Sequence, residues 1–246
     1  MTYGDFTLNL NDTIKDAGWL STHVDSTLRA TNNSLRDINV GEIGEPTNQE
    51  VGYHFQRKTV TIPYVMGTNS YVLALTDFKF PYDLRPVISN VVGFPPFSEV
   101  SVKSFINKAQ TFFTQDKVYA ISYNNNTLTI YINDETSENL VFEYYSTSMV
   151  LAADGVTFND EISDNADTLL IPDRYMNVLR ELVAAEIFAQ TKSASDKSQE
   201  SNEHLKKGQN LLKRMISAIG AYRKQPVERM SPRGEWPQPM SRVSTR

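Results

Sequence analysis

The sequence predicts an α+β fold in which N- and C-terminal helices form a helical bundle around an inserted antiparallel β-sandwich or barrel-like module, with an extended C-terminal arm. Three observations carry this reading. Val24, Leu28, Thr31, Leu35 and Ile38 recur at steps of four and three, the spacing of one helix face. Residues 52–148 alternate and are rich in β-branched and aromatic side chains. Helical spacing then returns over 172–222 and gives way to a proline-rich tail. The boundaries that follow are 1–51 for the N-terminal helical segment, 52–148 for the β module, 149–222 for an acidic loop with the C-terminal helices, and 223–246 for the arm.

In chain order, Leu8, Leu10, Ile14 and Ala17 suggest a first helix stopped at Gly18. The second helix has Ser21 or Thr22 available as N-cap, and Gly41 with Gly44 and Pro46 to end it. In the β module, Arg57–Val65 and Tyr71–Leu75 read as paired strands across the turn Gly67–Ser70. Pro81, Pro86, Gly93, Pro95 and Pro96 read as punctuation around a strand at Val87–Val92, and Glu99–Ile106 as a short helical turn or a strand. The clearest hairpin joins Val118–Tyr123 to Thr127–Ile132 through Asn124–Asn126, because asparagine tolerates the left-handed backbone that tight hairpin loops need. Asn139–Tyr145 supplies a further strand. The many tyrosines fit cross-strand packing better than a platform for stacking bases.

Asp154, Asp160, Glu161, Asp164 and Asp167 then make an acidic loop whose spacing does not match a calcium-binding loop. Pro172 suits a first helical turn, where its missing N–H has no partner, and Asp173 complements the helix dipole. The stripe Tyr175, Val178, Leu179, Leu182, Val183, Ala185, Ile187 and Phe188 is too wide for a surface helix and predicts the central one. After a break at Lys192–Ser195, with Ser195 as N-cap, Leu205, Leu212, Met215, Ile216, Ile219 and Tyr222 keep a narrower face before Pro226 stops the helix.

Composition excludes several chemistries. The 246 residues contain no cysteine, so disulfides, thiolate metal sites and cysteine nucleophiles are ruled out. His23, His54 and His204 stand at no ligand spacing. No cofactor is expected. No run of about 18 apolar residues indicates a membrane span. The N-terminus lacks the basic and apolar regions of a secretory signal, so a soluble chain made in the host cytoplasm is expected. The formal charge of −5 hides an asymmetry: residues 203–246 hold ten Lys/Arg against three Asp/Glu, a net +7, which leaves −12 for residues 1–202. A basic tail on an acidic body suits a tail that leaves the body for another surface.

The order of two helices, a β module, an acidic loop and two further helices resembles the head-to-tail adaptor (connector) proteins of tailed bacteriophages. Tyr71–Phe78, Glu99–Phe105, Tyr144–Ser146 and the helix opening Leu169–Tyr175 carry that resemblance, which spans roughly residues 20–220. It implies a structural, non-enzymatic virion protein at the head–tail junction. Such a protein forms a homo-oligomeric ring, a dodecamer, that docks under the portal, extends the channel for genomic DNA and offers a surface to tail or nozzle proteins. In the arm, Trp236 beside Pro237 is the strongest anchor, since tryptophan buries a large area. Arg223, Lys224, Arg229, Arg233 and Arg242 suit an acidic portal surface or phosphates, while Pro226, Pro232, Pro237 and Pro239 restrict the free chain. Competing readings are a tail-tube, nozzle or head-completion component, a receptor-binding β module, and a metal-dependent hydrolase using Asp160, Asp164 and Asp167.

Overall fold

A computed structural model describes residues 1–14, 17–41, 51–65, 67–87, 97–108, 117–133, 138–190, 196–219 and 222–223. The described residues form an α+β fold with two apolar clusters, one under the helices and one between two sheets. The expected strand at 87–92 and the break at 192–195 lie outside them, apart from Val87.

Three helices open the chain: α1 (Tyr3–Ile14), α2 (Ala17–Thr22) and α3 (Val24–Val40). Helix α1 buries Tyr3, Phe6, Leu10 and Ile14, while Leu8, expected inside, is exposed; Gly18 lies within α2 rather than ending a helix. The N-cap of α3 is His23, with no side-chain cap, because Ser21 and Thr22 are taken up in α2. Val24 is exposed, and the buried face runs through Thr27, Thr31, Ser34, Leu35 and Ile38. Gly41 ends α3 as expected. It sits at φ 76°, where its N–H reaches the carbonyls of Asp37 and Ile38.

The β region contains β1 (Val51–Gly52), β2 (Arg57–Ile62), β3 (Ser70–Ala74), β4 (Phe78–Pro86), β5 (Ser98–Val100), helix α4 (Val102–Lys108), β6 (Val118–Asn124), β7 (Thr127–Ile132) and β8 (Leu140–Ser146). Their two main sheets have the orders β2-β8-β4 and β3-β7-β6-β5, the second mixed because β5 runs parallel to β6. Ile62, Leu84, Leu128, Ile130, Leu140 and Phe142 fill the space they share. The β6–β7 hairpin turns on Asn125 and Asn126 at φ 46° and 59°, as asparagine allows.

Two readings change here. Strands β2 and β3 do not pair: β2 joins β8 and β3 joins β7, because the chain crosses between sheets after Pro63. Pro81 and Pro86 do not interrupt strand structure but lie in β4, an edge strand with register shifts, where a missing N–H costs no ladder bond. Glu99–Ile106 supplies both of its expected alternatives in succession, β5 and then α4.

Beyond β8, the segments β9 (Val150–Leu151), β10 (Phe158–Asn159) and β11 (Thr168–Leu169) form a small sheet, with β9 central. Pro172 precedes a short 3-10 turn at Asp173–Tyr175 instead of occupying the first helical turn. Helix α5 (Met176–Gln190) follows, buried around most of its circumference and packed against α1, α3 and α6 (Asp196–Ile219). Helices α5 and α6 approach so closely that a Cβ on Gly208 would lie 2.5 Å from Leu182 Cδ2. Tyr222 does not extend the α6 face. It belongs with Arg223 to β12 (Tyr222–Arg223), which pairs antiparallel with β1.

Candidate functional site

The arm expected from the sequence leaves the body at the β1–β12 pair, where Val51 faces Arg223 and Gly52 faces Tyr222. Arg223 is thus a strand residue rather than the start of a free arm. Lys224, Arg229, Arg233, Trp236, Pro237 and Arg242 lie outside the described residues.

The socket beneath that root is built by close contact. A Cβ on Gly41 would meet Val51 Cγ2 at 2.5 Å, so the end of α3 sits directly on β1. A Cβ on Gly52 would lie 2.6 Å from the Tyr145 ring and 2.8 Å from Phe80 Cζ, which places β1 against the outer face of the β2-β8-β4 sheet. The root therefore touches both the helices and the β module.

Polar groups hold the same joint. Lys79, between Phe78 and Phe80 on β4, donates to the carbonyl oxygens of Asn39 and Val51, the latter at 2.6 Å, and to Asn39 Oδ1 at 2.9 Å. The buried Gln56 amide donates to Asn39 Oδ1 at 2.7 Å and its oxygen accepts from the Tyr53 N–H at 3.3 Å. Tyr53, fully buried, donates its hydroxyl to the Ile38 carbonyl at 2.8 Å, and Asn39 Nδ2 reaches the Thr147 carbonyl at 3.0 Å. These bonds occupy carbonyls at the end of α3 that the helix cannot satisfy itself. None of Asn39, Gln56 and Lys79 stands out in the sequence, since each finds its partners across long stretches of chain.

A second polar node lies nearby. Asp77 accepts from Lys58, from Tyr144 Oη at 3.1 Å and from Ser146 Oγ at 2.9 Å. Burial pushes its carboxyl up, but these donors and the Lys58 charge outweigh it and hold the group below the usual carboxylate range. On the outer sheet face Glu143 is shared between Arg57 and Arg85, and Arg57 lies 4.1 Å over the Tyr82 ring.

The acidic loop is a structural unit. Asp160 accepts from Thr147 Oγ1 at 2.8 Å, Glu161 pairs with Arg36 at 2.6 Å, and Asp164 accepts from the Ala166 N–H at 2.8 Å. Asp167 is buried and accepts the N–H groups of Ala153, Ser163 and Asp164 at 3.0, 2.8 and 2.9 Å. Burial alone would raise its carboxyl, yet those donors and the Ser163 hydroxyl hold it below the usual range. Among the described residues, no group of three or more His, Cys, Asp and Glu side chains could hold a metal ion. No described helix is long and apolar enough to cross a membrane.

No curated protein matches the chain. The family model described as SU10 adaptor protein matches residues 1–234, which takes in both helical segments, the β module, the arm root and the first part of the arm. With nearly the whole chain covered, and in agreement with the adaptor pattern in its element order, the protein belongs to the SU10 adaptor family of structural phage proteins.

Proposed function

We propose that this chain is the subunit of a head-to-tail adaptor ring that docks under the portal, extends the DNA channel and presents a lower surface to tail or nozzle proteins. It acts as a structural virion component, without cofactor or turnover, and joins the head–tail junction after synthesis in the host cytoplasm. Helices from 1–51 and 149–222 serve as a bundle, residues 52–148 as an inserted sandwich, and 223–246 as the docking arm.

The anchored root at β1–β12 is the observation that supports this reading most, together with membership of the adaptor family. A segment that carries load between two protein layers needs a fixed departure point, and this one is fixed to both halves of the subunit. In the arm, Trp236 and Pro237 supply the buried anchor, while Arg223, Lys224, Arg229, Arg233 and Arg242 supply charge for an acidic portal surface. Genomic DNA passes through the lumen without sequence-specific contacts, and a dodecamer is the copy number that the resemblance implies.

Negative-stain microscopy of the purified protein mixed with portal provides the test. Rings capping the portal are expected, and failure to form any complex under assembly-like salt would end the docking reading.

A further inference from the structure

Helices α3 and α6 flank α5 and leave a groove of about 450 Å³ between them. Its floor and walls are small at Ser34, Ala185 and Ser201, and Leu182 closes one end. The Ser201 hydroxyl donates to the Ala185 carbonyl at 2.8 Å, and Asn33 Nδ2 donates to Glu186 Oε1 at 2.6 Å, so the three helices are tied while the channel between them stays open.

The charge in this groove is poorly compensated. Arg36 is engaged by Glu161 at 2.6 Å, and the exposed Asp37 has no ion pair among the described residues. Glu186 is held by the neutral amides of Asn33 and Gln190, with Arg29 as the cation facing it. Burial, and for Glu186 also the neighbouring Asp37 charge, push both carboxyls above their usual range. The site is therefore set for an incoming cation.

One cationic segment starts close by. Arg223 faces Val51, whose side chain packs on Gly41, and Gly41 follows Asp37 by four residues, about 6 Å along a helix. Residues 224–246 carry five Lys/Arg against two Asp/Glu. An extended chain gains about 3.3 Å per residue, so Lys224 and Arg229 fall within reach of the groove.

We propose that the segment 224–246 of the same chain lies in the α3–α5–α6 groove before assembly, with Lys224 and Arg229 set against Asp37 and Glu186. Given the docking reading above, the groove stores the arm until portal offers a better surface. Arm residues then exchange one acidic partner for another, which delays docking until portal is present.

The absence of cysteine makes the test direct. A nitroxide on Ser231→Cys in the otherwise full chain reports arm mobility in the free protein, without portal. An immobilised spectral component is expected at low salt. It is lost in Asp37→Asn/Glu186→Gln, lost in Lys224→Gln/Arg229→Gln, and restored when Asp37→Lys/Glu186→Lys is combined with Lys224→Glu/Arg229→Glu. A label equally mobile in every protein overturns the proposal, as does an immobilised label that ignores both pairs of substitutions. An immobilised fraction that falls on dilution assigns the groove to a second copy's arm and also overturns it. Because portal is absent throughout, failure here leaves the docking reading to its own test.

Discussion

Lys79 Nζ lies 2.6 Å from the Val51 carbonyl oxygen, tying β4 of the β module to the strand that receives the arm root. The same ammonium bridges to Asn39 at the end of α3, so one side chain joins three parts of the subunit. Lys79→Met keeps the stem but removes every donor. Hydrogen bonds to a charged group are worth about 1.5–3 kcal/mol, and a loss of that size is expected in urea unfolding. Amide exchange at Gly52 and Arg223 should accelerate beyond the change elsewhere, whereas uniform acceleration would count against a local role.

Gly52→Ala places a methyl group against Tyr145 and Phe80 at less than 3 Å, where the ring atoms are close to their own backbone and cannot simply swing aside. Overpacking of this kind costs about 1–3 kcal/mol. The control is Gly67→Ala, at φ 76° with open space around it, which should cost only backbone strain of about 1–2 kcal/mol. Thermal unfolding separates them through a third protein: Tyr145→Leu should relieve the first substitution and leave the second unchanged.

Asp167 fixes a pH dependence. Its folded carboxyl is held below the usual range, so the unfolded chain binds the proton more readily. The associated stability is present above the unfolded value of about 3.9 and is lost as pH falls through the folded value. In Asp167→Asn, the amide turns a donor toward backbone N–H groups, and a loss of about 1–3 kcal/mol is expected near neutrality. Its stability profile should also be flatter than the parent's below about pH 4.

Trp236→Ala should leave the fold of the free protein unaltered and weaken its complex with portal. Central aromatic anchors contribute about 2 kcal/mol or more, which corresponds to roughly 30-fold in affinity. Titration of labelled portal measures it, and an unchanged affinity would remove Trp236 from the interface.

The parts of the fold legible in the sequence are those whose signal is local. Helix α5 announces itself because nearly every turn carries an apolar residue, and the β6–β7 hairpin because two adjacent asparagines occupy its positive-φ positions. Strand β4 is hidden because Pro81 and Pro86 read as breaks, and only its edge position makes them acceptable. The exposed Leu8 shows a related limit: its helix buries the face through Phe6 and Leu10, and one apolar residue off that face is ordinary.

The arm root was illegible for a different reason. Strands β1 and β12 are two residues each, and what makes them a pair is the contact of Gly41, Val51, Gly52 and Tyr145 across more than half the chain. No periodicity exists in so short a segment. The acidic loop was read as solvated, yet Asp167 sits at its centre as an acceptor for the surrounding backbone, a role set by closure of the loop rather than by carboxylate spacing.

The antiparallel sense of β1 and β12 has a mechanical consequence. Arg223 ends its strand beside Val51, which begins the other, while the firm attachment of β1 to α3 runs through Tyr53 at the opposite end. Tension on the chain beyond Arg223 is therefore resisted in shear, with the pair loaded together instead of peeling one bond at a time. Part of that force passes through Lys79 into the β module, so a pull on the tail is spread over the subunit and does not fall on helix α6 alone.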